Sequence, residues 1–225
     1  MKKQNKLKLM KIEYIRFAPE FEFELPKSEN SEELINKGRT LKGWEIKMDG
    51  TLNNGIELSP RNSNKLYWNK DSWMQIKEIL ALVRTHRGFA DKKTCGFHVH
   101  VDAKKLTDKQ IVSIIKEWVH KQDYIVKRFK VSNYRLKKTC QLLLKSKINK
   151  LTEKDIKNFR NQDEFNWVNY PELAEKHKSL NVSHLPLYDY QTLEFRLFGA
   201  SLKLKEIKER ILFCLNFIKD SCERD

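Results

Sequence analysis

Glycine and proline are scarce in this chain, at seven and five among 225 residues. That scarcity excludes collagen-like and low-complexity chains and leaves no material for a glycine-rich phosphate loop. A nucleotide bound here needs its phosphates held in some other way. Long apolar runs are missing as well. The longest charge-free stretch near a terminus, Ile211 to Ile218, falls far short of the ~20 residues of a membrane helix. The N-terminal sequence MKKQNKLKLMKIEYIRF is basic and interrupted by charge every few positions, unlike the unbroken apolar segment of a secretory signal. Cys95, Cys140, Cys214 and Cys222 show no CxxC spacing and read as reduced, mostly buried thiols of a cytoplasmic protein.

Acidic residues are outnumbered, 30 Asp+Glu against 45 Lys+Arg, for a net charge of +15. The excess is unevenly placed. Residues 1–16 hold six Lys/Arg and one Glu, and residues 104–150 hold fourteen Lys/Arg against Asp108, Glu117 and Asp123, which leaves the remainder near neutrality at −1. Such asymmetry suits contact with nucleic acid or another polyanion through residues 104–150, where Trp118, Tyr124, Phe129 and Tyr134 offer rings that stack on bases. The structural alternative is a set of lysine-solvated helices whose aromatic groups pack inward. Leu, Ile, Val and Phe supply 63 residues, enough for a folded core.

Alternation marks the strands. FAPEFEFEL (17–25) sets Phe17, Phe21, Phe23 and Leu25 against Glu20, Glu22 and Glu24. WEIKMDGTL carries Asp49-Gly50 between two alternating runs, a hairpin signal, and GIELS continues it to Pro60. CGFHVHVD (95–102) puts Cys95, Phe97, Val99 and Val101 on one face and Gly96, His98, His100 and Asp102 on the other. TLEFRLF (192–198) turns Leu193, Phe195 and Leu197 inward and Glu194 and Arg196 outward. Helices are expected near 31–38 with an Asn30/Glu33 capping box, after an Asp71 cap, from a Thr107/Gln110 capping box to about 129, over about 134–148 and 153–161, and over about 203–221. This order lacks βαβα alternation and predicts an α+β fold on an antiparallel sheet, with helices packed on one face.

If these strands share one sheet, Glu20, Glu22, Glu24, Glu57, His98, His100, Glu194 and Arg196 share its other face. Like charges at close quarters raise one another's pKa unless cations intervene, and oxygen-rich sets suit Mg²⁺ or Mn²⁺. A solvated face of so lysine-rich a chain should carry lysine, and these strands carry almost none there.

FAPEFEFE, DGTLNNGIELSP, CGFHVHVD, KSLNV and TLEFRLFGASL, in that order from Phe17 to Leu202, resemble the amidoligase family. Its members are carboxylate–amine ligases of the glutamine synthetase and glutamate–cysteine ligase fold superfamily. The resemblance implies ATP-dependent joining of a carboxylate to an amine through an acyl phosphate, with ATP and Mg²⁺ (or Mn²⁺) as cofactors. It implies a catalytic domain over residues 1–225 with a glutamine synthetase-like sheet, to which a basic helical subregion at about 104–161 is added. Carried over by position, Glu20 and Glu22 are the metal-binding pair, joined by Glu57, His98 and Glu194. His98 or His100 contacts metal or phosphate, Arg196 engages the transferring phosphoryl group, and Lys178 and Asn181 contact phosphate or substrate. Ala18-Pro19 replaces the family's glycine and apolar residue, which leaves Glu22/Glu24 open as an alternative pair.

Two other readings stand beside this one. His-x-His also opens some zinc hydrolase sites, although His86, His120, His177 and His184 show none of the paired spacing of a nitrogen-rich zinc centre. The basic stretch suits a nucleic-acid-binding or interaction protein with little catalysis on a ligase-like fold.

Overall fold

The computed structural model describes residues 11–224 apart from 39–40, 42, 62–64, 92, 162–172, 174 and 188. Most of the basic leader, residues 1–10, lies outside the described residues. Six strands, β1 (Phe17–Glu24), β2 (Trp44–Asp49), β3 (Gly55–Pro60), β4 (Gly96–Asp102), β5 (Leu180–Asn181) and β6 (Thr192–Gly199), form an open sheet in the order β2-β3-β1-β4-β6-β5. Every neighbouring pair is antiparallel. The described residues include seven α-helices: α1 (Ser31–Gly38), α2 (Lys70–Thr85), α3 (Asp108–Phe129), α4 (Asn133–Lys138), α5 (Lys145–Ile148), α6 (Glu153–Asn161) and α7 (Leu204–Glu223). Among them none is long and apolar enough to cross a membrane. The architecture is mixed α and β around an antiparallel sheet.

Register follows from the alternation. Phe21 stands opposite Leu58 on β3 and Phe97 on β4, Val99 opposite Phe195, and Val101 opposite Leu193, so one face is continuously apolar. Helices α3 and α7 cover it, with Trp118 4.9 Å from Phe195 and 5.4 Å from Phe217 between ring centroids. Each such fully buried large apolar side chain contributes about 1.5–3 kcal/mol by area. Proline inside a central strand removes a ladder donor, yet β1 tolerates Pro19. Phe17 exchanges both backbone bonds with Leu66, at 2.9 and 2.6 Å. Two residues on, Pro19 faces that same side, in the gap before the β3 ladder begins at Phe21.

Several local expectations need correction. The hairpin forms, but Asp49 pairs with Gly55, so residues 50–54 make a longer loop. Asn54, at φ 54°, takes its left-handed position, and its side-chain amide donates to the carbonyls of Leu25, Pro26 and Glu29. Helix α2 is capped by Asn69, which accepts from the Ser72 N–H at 2.9 Å, while Asp71 lies in the first turn. The helix expected over 134–148 breaks into α4 and α5. Buried Gln122 on α3 grips both backbone groups of Leu143, at 2.8 and 3.1 Å, and holds that stretch out of the helix. In β6 the apolar phase slips: Phe97 faces Phe198 while Val99 faces Phe195, a bulge that inserts one residue at Arg196-Leu197. Phe198 is therefore the residue across from Phe97, and Leu197 is buried as expected. The capping box at Thr107/Gln110 is present with both arms, Asn30 accepts the Glu32 N–H at 2.9 Å, and all four cysteines are free and buried.

Candidate active site

The second face of the sheet carries the ionisable groups, and at its centre they are buried. His98, His100, Asn181 and Glu194 are at most 3% exposed, so this is an interior polar surface. Antiparallel register explains the assembly: Glu20 faces His98, Glu22 faces Glu57, His100 faces Glu194, and Asn181 faces Glu194 from β5.

His98 Nδ1 lies 2.6 Å from Glu20 Oε1 and 3.4 Å from Glu194 Oε1, and its Nε2 lies 3.5 Å from Glu22 Oε1. His100 Nε2 lies 3.5 Å from Glu20 Oε2 and 3.8 Å from Glu194 Oε1, while its Nδ1 is 3.2 Å from the Thr192 hydroxyl. Arg196 donates to Glu194 Oε1, and the Asn181 amide donates to Glu194 Oε2 at 2.8 Å. The Gly96 N–H donates to Glu22 Oε2. A Cβ on Gly96 would lie 2.7 Å from that oxygen and 2.6 Å from His98 Nε2, which is why the strand carries glycine there.

Burial alone pushes Glu20 up, but the charge of His98 and the close polar contacts of both imidazoles outweigh it and hold the carboxyl well below its ordinary value. Glu194 behaves alike: burial raises it, and His100, Arg196 and His98 together lower it further. His100 is pushed down by burial yet ends raised, because Glu194 and Glu20 face it. Glu57 is raised by burial and then by Glu20, against the pull of Lys47, whose ammonium sits 2.7 Å away. These opposed shifts describe Glu20 and Glu194 held toward the carboxylate form by the groups around them, a charge distribution that a divalent ion can replace.

A cavity of about 350 Å³ opens onto this network, walled by Glu20, His100, Glu194 and Arg196 on one side and by Glu45, Lys47 and Glu57 on the other. Of the residues singled out from sequence, Glu22 and His98 lie beside these walls rather than among the lining groups. Glu24 sits apart, accepting from the Thr94 hydroxyl at 3.0 Å. Lys178 lies outside the lining, because its ammonium is held by Gln141 Oε1 at 2.9 Å and Glu175 at 3.1 Å; Lys176 lines the cavity instead.

Three contributors escaped the sequence reading. His184 reaches Glu194, with Nδ1 4.0 Å from Oε2, because Asn181 Oδ1 accepts the Ser183 N–H at 2.9 Å and turns the chain back toward the sheet. An Asx turn of this kind was the available signal. Tyr190 closes the same corner, its ring 5.5 Å from His100 and 5.6 Å from His184. Arg135, from the basic stretch, is 1% exposed and donates to the carbonyl of Arg196 at 3.3 Å. Among the described residues two donor clusters result, Glu20/Glu22/His98 and His100/His184/Glu194, each with its ligand atoms within 4.8 Å of one another.

A family model described as "Putative amidoligase enzyme" matches residues 26–218, most of the chain. The match includes Glu57, His98, His100, Asn181, His184, Glu194 and Arg196 and begins just after β1, the strand of Glu20 and Glu22. No curated protein matches. The chain belongs to the amidoligase family.

Proposed function

We propose that the chain is an ATP-dependent carboxylate–amine ligase that works through an acyl phosphate. The observation that carries this reading is one network of contacts at one cavity, in which half-buried Glu20 and Arg196 meet the buried His98, His100 and Glu194, in a chain of the amidoligase family. We also read the sheet as glutamine synthetase-like, the helices of residues 104–161 as a basic elaboration that presents the substrate, and the whole as one cytoplasmic catalytic domain.

A carboxylate resists amines because its charge is delocalised and its leaving group is oxide. Transfer of the ATP γ-phosphoryl group to a carboxylate oxygen removes both obstacles. The amine then attacks the acyl carbon, phosphate departs, and a proton leaves the nitrogen. The residues fit divalent ions: Glu20, Glu22 and His98 converge, and the Nε2 of His100 and Nδ1 of His184 are buried without hydrogen-bond partners. Glu20, Glu22, Glu57, His98 and Glu194 would hold Mg²⁺ or Mn²⁺, which supply neutralisation of phosphate charge. Arg196, whose Nε is likewise buried and unpartnered, orients the phosphoryl oxygens through its planar fork. Lys176 and Lys47 on the cavity wall attract the anionic reactants, and Asn181 fixes Glu194 by hydrogen bonding.

The test is release of labelled phosphate from γ-labelled ATP by purified protein, across panels of carboxylates and amines, with and without divalent metal. Metal-dependent release that Glu22→Gln and Arg196→Ala abolish supports the ligase. Release independent of metal, or unchanged in both variants, overturns it.

A further inference from the structure

The two donor clusters differ in chemistry. Glu20, Glu22 and His98 offer two carboxylates and one imidazole, while His100, His184 and Glu194 offer two imidazoles and one carboxylate. Oxygen-rich sets suit Mg²⁺, and imidazole-rich sets suit borderline transition ions, whose affinities rise along the Irving–Williams order. We propose that His100, His184 and Glu194 form a second cation centre, sharing Glu194 with the Mg²⁺ set, that takes an imidazole-preferring ion of the Zn²⁺ and Co²⁺ class in preference to Mg²⁺, with His184 as its loop-borne ligand.

Each member is held for that role from outside the cluster. The Thr192 hydroxyl, 3.2 Å from His100 Nδ1, leaves Nε2 facing the cluster. That Nε2, on a residue only 3% exposed, is buried with Glu20 Oε2 at 3.5 Å and Glu194 Oε1 at 3.8 Å and makes a hydrogen bond to neither, a situation that native interiors rarely leave unexplained. The Nδ1 of His184, on a half-buried residue, is itself buried and unpartnered. Asn181 and Arg196 anchor the two oxygens of Glu194. Metal-ligating histidines and carboxylates in proteins show the same outer support.

The spacing is wrong for hydrogen bonds and right for an ion. His100 Nε2 is 3.8 Å from Glu194 Oε1, and His184 Nδ1 is 4.0 Å from Glu194 Oε2, both beyond hydrogen-bond length. Two bonds of about 2.0–2.2 Å to one ion span such separations. The rings of His100 and His184, 5.2 Å apart between centroids, share the flank of Tyr190, which limits their rotation. This centre goes beyond the ligase reading, with which it shares Glu194, and its test reads cation binding alone.

The experiment uses the full chain, stripped with chelator and free of nucleotide, titrated with Co²⁺ and separately with Mg²⁺ by calorimetry and visible absorption. We expect Co²⁺ to bind at least about tenfold more tightly than Mg²⁺ and to give a ligand-field spectrum. His184→Ala and His184→Gln should each weaken Co²⁺ at least about tenfold, while His177→Ala, at an exposed histidine, should not. In the wild-type protein, Co²⁺ should shift or broaden the imidazole resonances of both His100 and His184. Equal Co²⁺ affinity in wild type and both His184 variants, Co²⁺ no tighter than Mg²⁺, or unperturbed His184 resonances would each overturn the centre. Phosphate release is not read here, so failure of the ligase reading remains separate.

Discussion

His98 and Glu20 stand directly opposite each other on β4 and β1, with His98 Nδ1 2.6 Å from Glu20 Oε1. The pair is the junction of the network, because the same imidazole nitrogen also faces Glu194 and the other carboxyl oxygen of Glu20 faces His100. A cation bound beside it stabilises only the folded chain. Mn²⁺ at a hundred times its dissociation constant should add about 2.7 kcal/mol, a rise in Tm of about 5–10 °C for a chain of this size. Glu20→Gln should lose most of that rise. Scanning calorimetry with and without Mn²⁺ checks it, and an unchanged Tm in the wild-type protein would remove the support for metal at this junction.

Gly96 sets how closely Glu22 approaches β4. A methyl group placed there would meet His98 Nε2 at 2.6 Å and Glu22 Oε2 at 2.7 Å, with the Arg135 guanidinium at 3.0 Å. None of these is a free surface group, so Gly96→Ala must displace Glu22 from the backbone N–H that holds it. The expected cost is about 1–3 kcal/mol from overpacking, together with loss of metal-dependent phosphate release. Denaturant titration alongside the phosphate assay measures both, and a variant that keeps full activity would mean that Glu22 is not needed where it stands.

The alternating strands were legible because period two is a local property: FEFE and FHVHV assign faces to their residues whatever surrounds them. The burial of the polar face was not, since it depends on His184 and Tyr190 reaching back to His100 and Glu194. Glu24 shares the phase of Glu20 and Glu22, yet it pairs with Thr94 at the far end of the strand, a distinction that periodicity does not encode. His184 looked unpaired in sequence, and only the turn made by Asn181 carries it to Glu194. Gln122 breaks the helix expected over 134–148 through a contact 21 residues away, and local propensity has no access to such a contact. Among the four aromatic residues considered as base-stacking groups, Trp118 is fully buried and Phe129 packs on Phe198 and Phe213, while Tyr124 and Tyr134 are exposed.

Asp102 gathers Arg16 at 2.6 Å and Lys65 at 2.9 Å, and Lys65 lies 5.4 Å from the ring centre of Tyr190. Burial pushes Asp102 up, but the hydrogen bonds and charge of Lys65, aided by Arg16, lower it below the ordinary aspartate value. Lys65 moves the other way for an ion pair: its burial outweighs the attraction of Asp102 and lowers it. The carboxylate therefore governs the acid limb. A folded-state pKa below the unfolded one gives stability that is present above the unfolded value and lost as pH falls through the folded value. Asp102→Asn also strands a lysine whose side chain is 2% exposed, at a cost of about 3–5 kcal/mol. The difference in unfolding free energy between wild type and Asp102→Asn should be full above about pH 5 and shrink toward acid. A pH-independent difference in urea titrations would contradict this account.

Trp118 illustrates how the basic stretch is anchored. Its ring packs against Phe195 and Phe217, and its Nε1–H donates to the Ser179 hydroxyl at 3.0 Å. Trp118→Ala should cost about 3–5 kcal/mol and lower Tm by about 6–20 °C. Tyr134→Ala, at an exposed ring, should stay within about 0.5 kcal/mol. If the stretch binds a polyanion, the Tyr134 variant is the one to weaken it without unfolding the chain, which salt-dependent fluorescence anisotropy with a single-stranded oligonucleotide would read.

Arg196 sits in the β6 bulge, where the extra residue breaks the strand's phase opposite His98. Its guanidinium binds Glu194 Oε1 through one arm and keeps a buried, unpartnered Nε, so it is both fixed and short of a ligand. A lysine at this position would retain the charge but not the fork: it offers a point charge, makes no bidentate contact with phosphate, and loses hold of Glu194 when it turns toward substrate. Arg196→Lys should therefore lower kcat for phosphate release by about 10²–10³, close to the effect of Arg196→Ala, with KM for ATP changed far less. If Arg196→Lys instead keeps near wild-type kcat, plain charge suffices at that position, and the planar recognition assigned to the guanidinium is wrong.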